Sequence, residues 1–158
     1  VEALTFADKV VVMYDGTVVQ VGTPVDLFNR PNHTFVGYFI GSPGMNVLPC
    51  SLDNGRPVFS NHLLQTASPV KGALDGKLEV GIRPEFVSFA DDGIPVEIEK
   101  VEDLGRYRVI TMKHEADFIK MVLGEDQSIP TGTPKVQFDP GHTRVYHDGW
   151  VLEEALNE

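Results

Sequence analysis

Gly72-Ala73-Leu74-Asp75-Gly76-Lys77-Leu78 is the nearest approach to a nucleotide-binding loop in this chain. A loop of the form GxxxxGK[ST] cradles phosphates with backbone amides and a lysine, and its hydroxyl reaches Mg. The string here is one residue short between its glycines and has Leu78 where the hydroxyl is required. An ordinary loop ahead of a strand is therefore expected. His142 and His147 stand near Asp139 and Asp148. Positions five apart on one strand point to opposite faces, whereas metal ligands must converge, so solvated positions are expected there. Ser, His and Asp occur without a spacing that identifies a nucleophile. Cys50 stands alone and can form neither an internal disulfide nor a cysteine metal cluster. No catalytic, cofactor-binding or metal-ligating residue is assigned. Arg83-Pro84-Glu85 reads as a turn fixed by proline and flanked by a charged pair. Phe86, Phe89, Tyr107 and Phe118 read as core packing rather than a base-stacking platform.

The elements around these residues change character along the chain. Val10, Val11, Val12 and Met13 form an unbroken apolar run, which suits a strand covered on both faces. Asp15-Gly16 marks a two-residue turn, and residues 17–21 return as a second strand. Thr23 can cap a helix that Pro24 begins, and Pro31 stops it near Asn29. A second helix is expected over residues 33–40, with Phe35, Val36, Phe39 and Ile40 on one face. Ser42-Pro43-Gly44 then breaks regular structure. Beyond it the period becomes two. Short strands are expected at 47–52, 57–60, 78–82, 86–89, 96–101, 107–112, 118–123, 134–138 and 143–146. So many short strands point to a mainly β protein with a closed or nearly closed barrel, which removes edges, and the expected architecture is a five-stranded barrel of the oligonucleotide/oligosaccharide-binding type with an additional hairpin.

Thirteen Lys and Arg against 23 Asp and Glu give a formal charge of -10. Phosphate backbones and anionic membrane surfaces both require clustered cations, so nucleic acid is not an expected partner. No apolar run approaches the roughly 20 residues of a membrane span. The start Val1-Glu2-Ala3-Leu4 reads as the interior of a helix without a cap. The expectation is that a longer polypeptide precedes it, and that residues before about Gly41 lack their packing partners.

The stretch EALTFADKVVVMYDGTVVQVGTPVDLFNRPNHTFVGYFIGSPGMNVL closely resembles the end of the nucleotide-binding domain in ATP-binding subunits of ABC importers for carbohydrates and glycerol phosphate. The match is carried by Glu2, Ala3, Ala7, Asp8, Asp15, Gly16, Gly22, Thr23, Pro24, Phe39 and Ile40, and continues through Gly41, Ser42, Pro43, Met45 and Asn46. Gly81-Ile82-Arg83-Pro84-Glu85 is similar to the GIRPE element of the barrel appended to these ATPases, the transport-associated OB (TOBE) domain. Val101-Glu102-Asp103-Leu104-Gly105 is similar to a strand end of the same barrel.

The resemblance implies an OB-like barrel over residues 42–158, preceded by a short α/β remnant of the nucleotide-binding domain over residues 1–41. Gly41, Ser42, Pro43, Met45, Asn46, Gly81, Arg83, Pro84, Glu85, Glu102 and Gly105 become family-motif positions with structural or interface roles. The fragment itself would hold no cofactor and catalyse nothing, since phosphate loop, signature and switch histidine are missing, while a parent ATPase would use ATP and Mg. The implied partners are a second copy of the chain, membrane-spanning permease subunits reached through the parent ATPase domain, and a regulatory protein. The implied location is the cytoplasm, peripheral to the inner membrane. Related barrels in oxyanion importers bind molybdate or tungstate, so a small-oxyanion site is the alternative reading.

Overall fold

The computed structural model describes residues 8–71 and 75–152. Strands β1 (Val10–Tyr14) and β2 (Thr17–Gly22) form an antiparallel hairpin. Its turn is the expected one, with Asp15 and Gly16 at φ of 50° and 75°. Helix α1 (Pro24–Asn29) opens on a reciprocal cap: Thr23 Oγ1 accepts from the Asp26 amide at 3.1 Å, and Asp26 Oδ2 accepts from the Thr23 amide at 3.4 Å. Helix α2 (Thr34–Phe39) opens on His33, whose Nδ1 accepts from the Phe35 amide at 3.0 Å. Val12 and Val19 of the hairpin bury themselves against Leu27, Val36 and Ile40 as a small core.

A register shift between Val12 and Met13 leaves Val12 as the buried member of β1. The cross-strand pairs Val11–Val21 and Met13–Val18 lie on the open face, where each residue is about half exposed. Phe39, expected on the buried face of its helix, points outward at 69% exposure. A six-residue helix spans less than two turns, and Val36 and Ile40 already fill the face that meets the hairpin. The expectation that residues before Gly41 lack partners is corrected in part. The hairpin is paired and both helices pack on it.

The remaining strands are β3 (Asn46–Pro49), β4 (Ser51–Asp53), β5 (Arg56–Phe59), β6 (His62–Leu63), β7 (Leu78–Ile82), β8 (Val87–Ala90) and β9 (Ile94–Pro95), then β10 (Glu97–Asp103), β11 (Tyr107–His114), β12 (Asp117–Gly124), β13 (Lys135–Phe138), β14 (Arg144–His147) and β15 (Trp150–Val151). The protein is mainly β, as expected. Four sheets make this body, in the orders β15-β14-β7-β3, β4-β5-β6, β8-β13-β9 and β10-β11-β12.

No closed barrel forms among the described residues; each sheet is open. The reason is local. Pro84 and Pro134 lie outside the strands, Pro95 ends β9 while pairing with Lys135, and a bulge shifts the register between Ile98 and Lys100. Where β3 meets β12, the Asn46 carboxamide replaces the ladder: Nδ2 donates to the Lys120 carbonyl at 2.9 Å and Oδ1 accepts from the Lys120 amide at 2.8 Å. The sheets share one apolar core that includes Leu48, Phe59, Val80, Ile82, Ile110, Met112, Ile119, Met121 and Val136. Phe86 and Phe89 pack at its margin, but Phe118 is 55% exposed, so that aromatic does not belong to the core.

Candidate functional site

The two cores meet at a joint built around Arg83. Strand β7 delivers Arg83 to the start of a short 3-10 turn (Pro84–Phe86), whose first position suits buried Pro84. The last carbonyls of a helix have no intrahelical donor and carry the negative end of its dipole. Arg83 reaches both helix ends with one side chain. Its Nε donates to the Phe28 carbonyl at 2.6 Å, and Nη1 donates to the Gly37 and Ile40 carbonyls at 3.2 and 2.6 Å. The guanidinium also lies 4.1 Å over the Phe28 ring. At 4% exposure it is a buried cation with no carboxylate bonded to it among the described residues, satisfied by carbonyl dipoles instead. Burial lowers its pKa, and the charge of nearby Glu85 acts the other way. The sequence expectation of a turn flanked by an exposed pair is therefore corrected: Glu85 is exposed, whereas Arg83 turns inward as a double helix cap.

Met45 and Tyr146 fill the space beside it. The Tyr146 hydroxyl donates to the Pro31 carbonyl at 2.7 Å and lies 3.8 Å from the Met45 sulfur. Burial raises the Tyr146 pKa, keeping the phenol neutral as a donor. Met45 threads between helix α2 and strand β7, and only glycine leaves it room. A Cβ on Gly37 would sit 2.4 Å from the Met45 Cε, and one on Gly81 would sit 2.8 Å from it and 2.7 Å from the Tyr146 ring.

A second tie lies along the chain end. The Thr34 amide donates to the Gly149 carbonyl at 2.9 Å, and the Val151 amide donates to the Asn32 carbonyl at 2.8 Å. Here the His33 ring meets Trp150 edge to face, with centroids 4.8 Å apart. Burial lowers the His33 pKa, which suits a ring whose Nδ1 lone pair serves as a cap.

Most of the family-motif positions gather at this joint. Gly41, Ser42 and Pro43 form the crossing segment between the cores, with a cis peptide at Ser42-Pro43. Met45, Asn46, Gly81, Arg83, Pro84 and Glu85 surround the two helix ends or the neighbouring strand seam. Glu102 and Gly105 lie apart, on the β10–β11 hairpin. Glu102 pairs with Lys100 at 3.2 Å, and the Gly105 amide donates to Asp103 Oδ1 at 2.9 Å in the turn. Tyr107, at the start of β11, faces the joint across an open groove of about 560 Å³ that Val25, Phe28, Gly41 and Ser42 also line.

The joint contains residues that sequence reasoning missed, namely Phe28, His33, Gly37, Tyr146 and Trp150. Spacing offered no signal for them, because their partners are up to 115 positions away. Of the histidines considered as ligands, His142 bonds Asp139 and stacks on Phe86, with centroids 3.6 Å apart; His147 reaches the Asp75 carbonyl. Among the described residues no three His, Cys, Asp or Glu side chains converge as metal ligands. Part of the glycine-lysine string, residues 72–74, lies outside the described residues, as does the helix expected at Val1–Leu4. No helix among the described residues is long and apolar enough to cross a membrane. The joint holds two cores together.

No protein-family model matches the chain. Curated proteins do. An uncharacterized ABC transporter ATP-binding protein, y4oS of Sinorhizobium fredii, is 45% identical over 113 residues, covering 66% of this chain and 29% of that protein. The sn-glycerol-3-phosphate import ATP-binding protein UgpC 2 of Agrobacterium fabrum is 38% identical over 141 residues, covering 84% of this chain and 37% of its own. UgpC of Jannaschia sp. is 30% identical over 148 residues, which are 92% of this chain and 42% of that one. The chain thus spans about a third of the length of the relatives it matches. It belongs to the family of ABC transporter ATP-binding proteins.

Proposed function

We propose that this chain is the C-terminal regulatory and dimerisation portion of the ATP-binding subunit of an ABC importer for sugars, related polyols or glycerol phosphate. In this reading residues 1–41 complete a nucleotide-binding domain and residues 42–158 form the appended TOBE-type domain. One observation carries it: the motif residues Met45, Asn46, Gly81 and Arg83 tie the hairpin-and-helix core to the β body or seal the body beside that joint. A domain that reports on an ATPase needs such a rigid connection, since coupling requires packed contacts between the parts that move. ATP and Mg would be bound by the parent's own motifs, and hydrolysis would occur there. The partners are a second copy, permease subunits contacted through the ATPase domain, and a regulatory protein. The assembly would sit in the cytoplasm against the inner membrane.

The test is a chimera. This chain replaces the matching part of Agrobacterium fabrum UgpC 2, and ATP hydrolysis and glycerol-phosphate uptake are measured in cells lacking the native subunit. Restored uptake is expected. A chimera that is folded and hydrolyses ATP, yet neither pairs with itself nor supports uptake, would overturn the assignment.

A further inference from the structure

The β body carries a second constructed feature, away from the joint. Between the β5–β6 hairpin and the sheet of β8, β13 and β9 lies a cavity of about 400 Å³. Buried Leu64, Ile94, Val136 and Phe138 line it, and Asn61, Gln65, Asp92 and Gln137 stand exposed around it with half-buried His62. A single imidazole ties its two walls. The His114 Nδ1 lies 2.7 Å from the Pro95 carbonyl oxygen, and Nε2 lies 3.0 Å from Ser60 Oγ. Because a carbonyl only accepts, Nδ1 carries the hydrogen. Ser60 Oγ lies 3.0 Å from Glu115 Oε2 as well, and its single hydrogen goes either to that carboxylate or to Nε2, not to both at once.

This contact flanks the two-residue turn of the β5–β6 hairpin. Ser60 and Asn61 both have positive φ, 46° and 67°. A two-residue hairpin turn of this hand requires positive φ at both central positions, a conformation serine adopts at a cost. Here the Ser60 hydroxyl, within reach of His114 and Glu115, supplies the restraint with its one hydrogen, and the turn brings Asn61 and His62 to the cavity.

The lining decides the class of ligand. No Lys or Arg is among the lining residues, while Asp92 is, so an anion would find no counter-charge and one repelling group. Oxyanions and phosphate esters are disfavoured. Carboxamides donate and accept together, which suits hydroxyl groups that also do both. The Gln137 amide is already committed to the Asp92 carbonyl at 2.6 Å, leaving Asn61, Gln65 and the Asp92 carboxylate for a ligand. The volume falls within the usual range for small-molecule sites, roughly 300–1,000 Å³.

We propose that this cavity binds a neutral polyhydroxylated molecule of mono- to disaccharide size. Asn61, Gln65 and Asp92 bond its hydroxyls, and its apolar C–H face rests on Ile94, Val136 and Phe138. The site is independent of the importer reading and stands or falls without it.

The test is amide NMR of the whole 158-residue chain titrated with maltose, glucose and glycerol, and separately with sn-glycerol 3-phosphate and inorganic phosphate. Saturable shifts centred on residues 61–65, 92–94 and 136–138 are expected with at least one neutral compound. Asn61→Gly, which tolerates the positive φ, and Gln65→Ala alter exposed side chains, and the same spectra verify their fold; each should weaken binding about fivefold or more. Absence of saturable shifts with every neutral compound at roughly 50 mM, well above a millimolar Kd, would overturn the proposal. So would shifts confined to other regions, or tighter binding of the phosphate compounds. An unaffected affinity in both variants would overturn the site even if a saccharide bound.

Discussion

Replacing Arg83 by Met keeps the apolar stem and removes the guanidinium, so the cost measures the double helix cap. The carbonyls of Phe28, Gly37 and Ile40 accept from Arg83 at 2.6 to 3.2 Å, and that of Leu27, at 3.5 Å, is a marginal fourth acceptor that adds little. The Gly37 carbonyl keeps the Met45 amide, which donates at 2.9 Å, so two carbonyls lose a charged donor with no other backbone donor recorded for them. At about 1–3 kcal/mol for each buried group left unpaired, the loss is about 2–6 kcal/mol. Loss of the contact with Phe28 adds about 1 kcal/mol. Relief from burying a cation, and water entering beside a shortened helix end, offset part of this. A net destabilisation of about 3 kcal/mol is expected.

The damage should be directional. Trp150, the sole tryptophan, lies beside His33 at the joint, so its fluorescence reports the hairpin-and-helix core. Far-ultraviolet circular dichroism is dominated by the strands of the β body. In urea, the fluorescence transition of Arg83→Met should move well below the dichroism transition, whereas the parent protein should unfold with the two closer together. Arg83→Lys retains the charge but not the planar fork that serves separated carbonyls, so it should recover about half the loss or less. A cost below about 1 kcal/mol for Arg83→Met, or full recovery with lysine, would refute the capping argument.

Lowering pH should loosen the same joint. His33 has a pKa below its ordinary 6.5, so the unfolded chain binds its proton first, and stability is lost as pH falls through 6.5 towards the folded value. His33→Asn, which can cap without titrating, should flatten that part of the pH profile of urea unfolding. Gly81→Ala places a Cβ between Met45 and Tyr146 and should cost about 2 kcal/mol by thermal unfolding. Asn46→Ala removes the amide that bridges β3 and β12, leaving the Lys120 groups without that partner, and should cost about 2 kcal/mol in the same assay. The Cys50 thiol is pushed up to about 12 by burial and by Glu79. It should react with a thiol reagent at pH 8 far more slowly than a free thiol, and as fast as one only in urea.

The elements of this fold were legible because their signals are short-range. Thr23-Pro24 ahead of an apolar repeat gave the bounds of α1, and the Asp15-Gly16 turn placed the hairpin around itself. Eight of the nine strands expected beyond residue 45 correspond each to one observed strand within a few residues; the ninth, 47–52, fuses β3 and β4, which enter different sheets, and the two-residue strands β6, β9 and β15 escaped because alternation needs more length to register. Closure was not legible. Whether β3 and β12 join by a backbone ladder or through the Asn46 side chain depends on partners 74 positions apart. The site divides along the same line. Motif likeness marked Met45, Gly81 and Arg83, but the physics at hand assigned Arg83 to an exposed ion pair, because buried arginines usually bring a carboxylate. Its acceptors are two helix ends, a site that exists only once α1 and α2 stop near each other. The residues that shape it, Gly37 and Phe28, belong to helix patterns with no excess of polarity to flag them. Such a joint is invisible in sequence for a physical reason: it is made of backbone carbonyls, and every residue type has one.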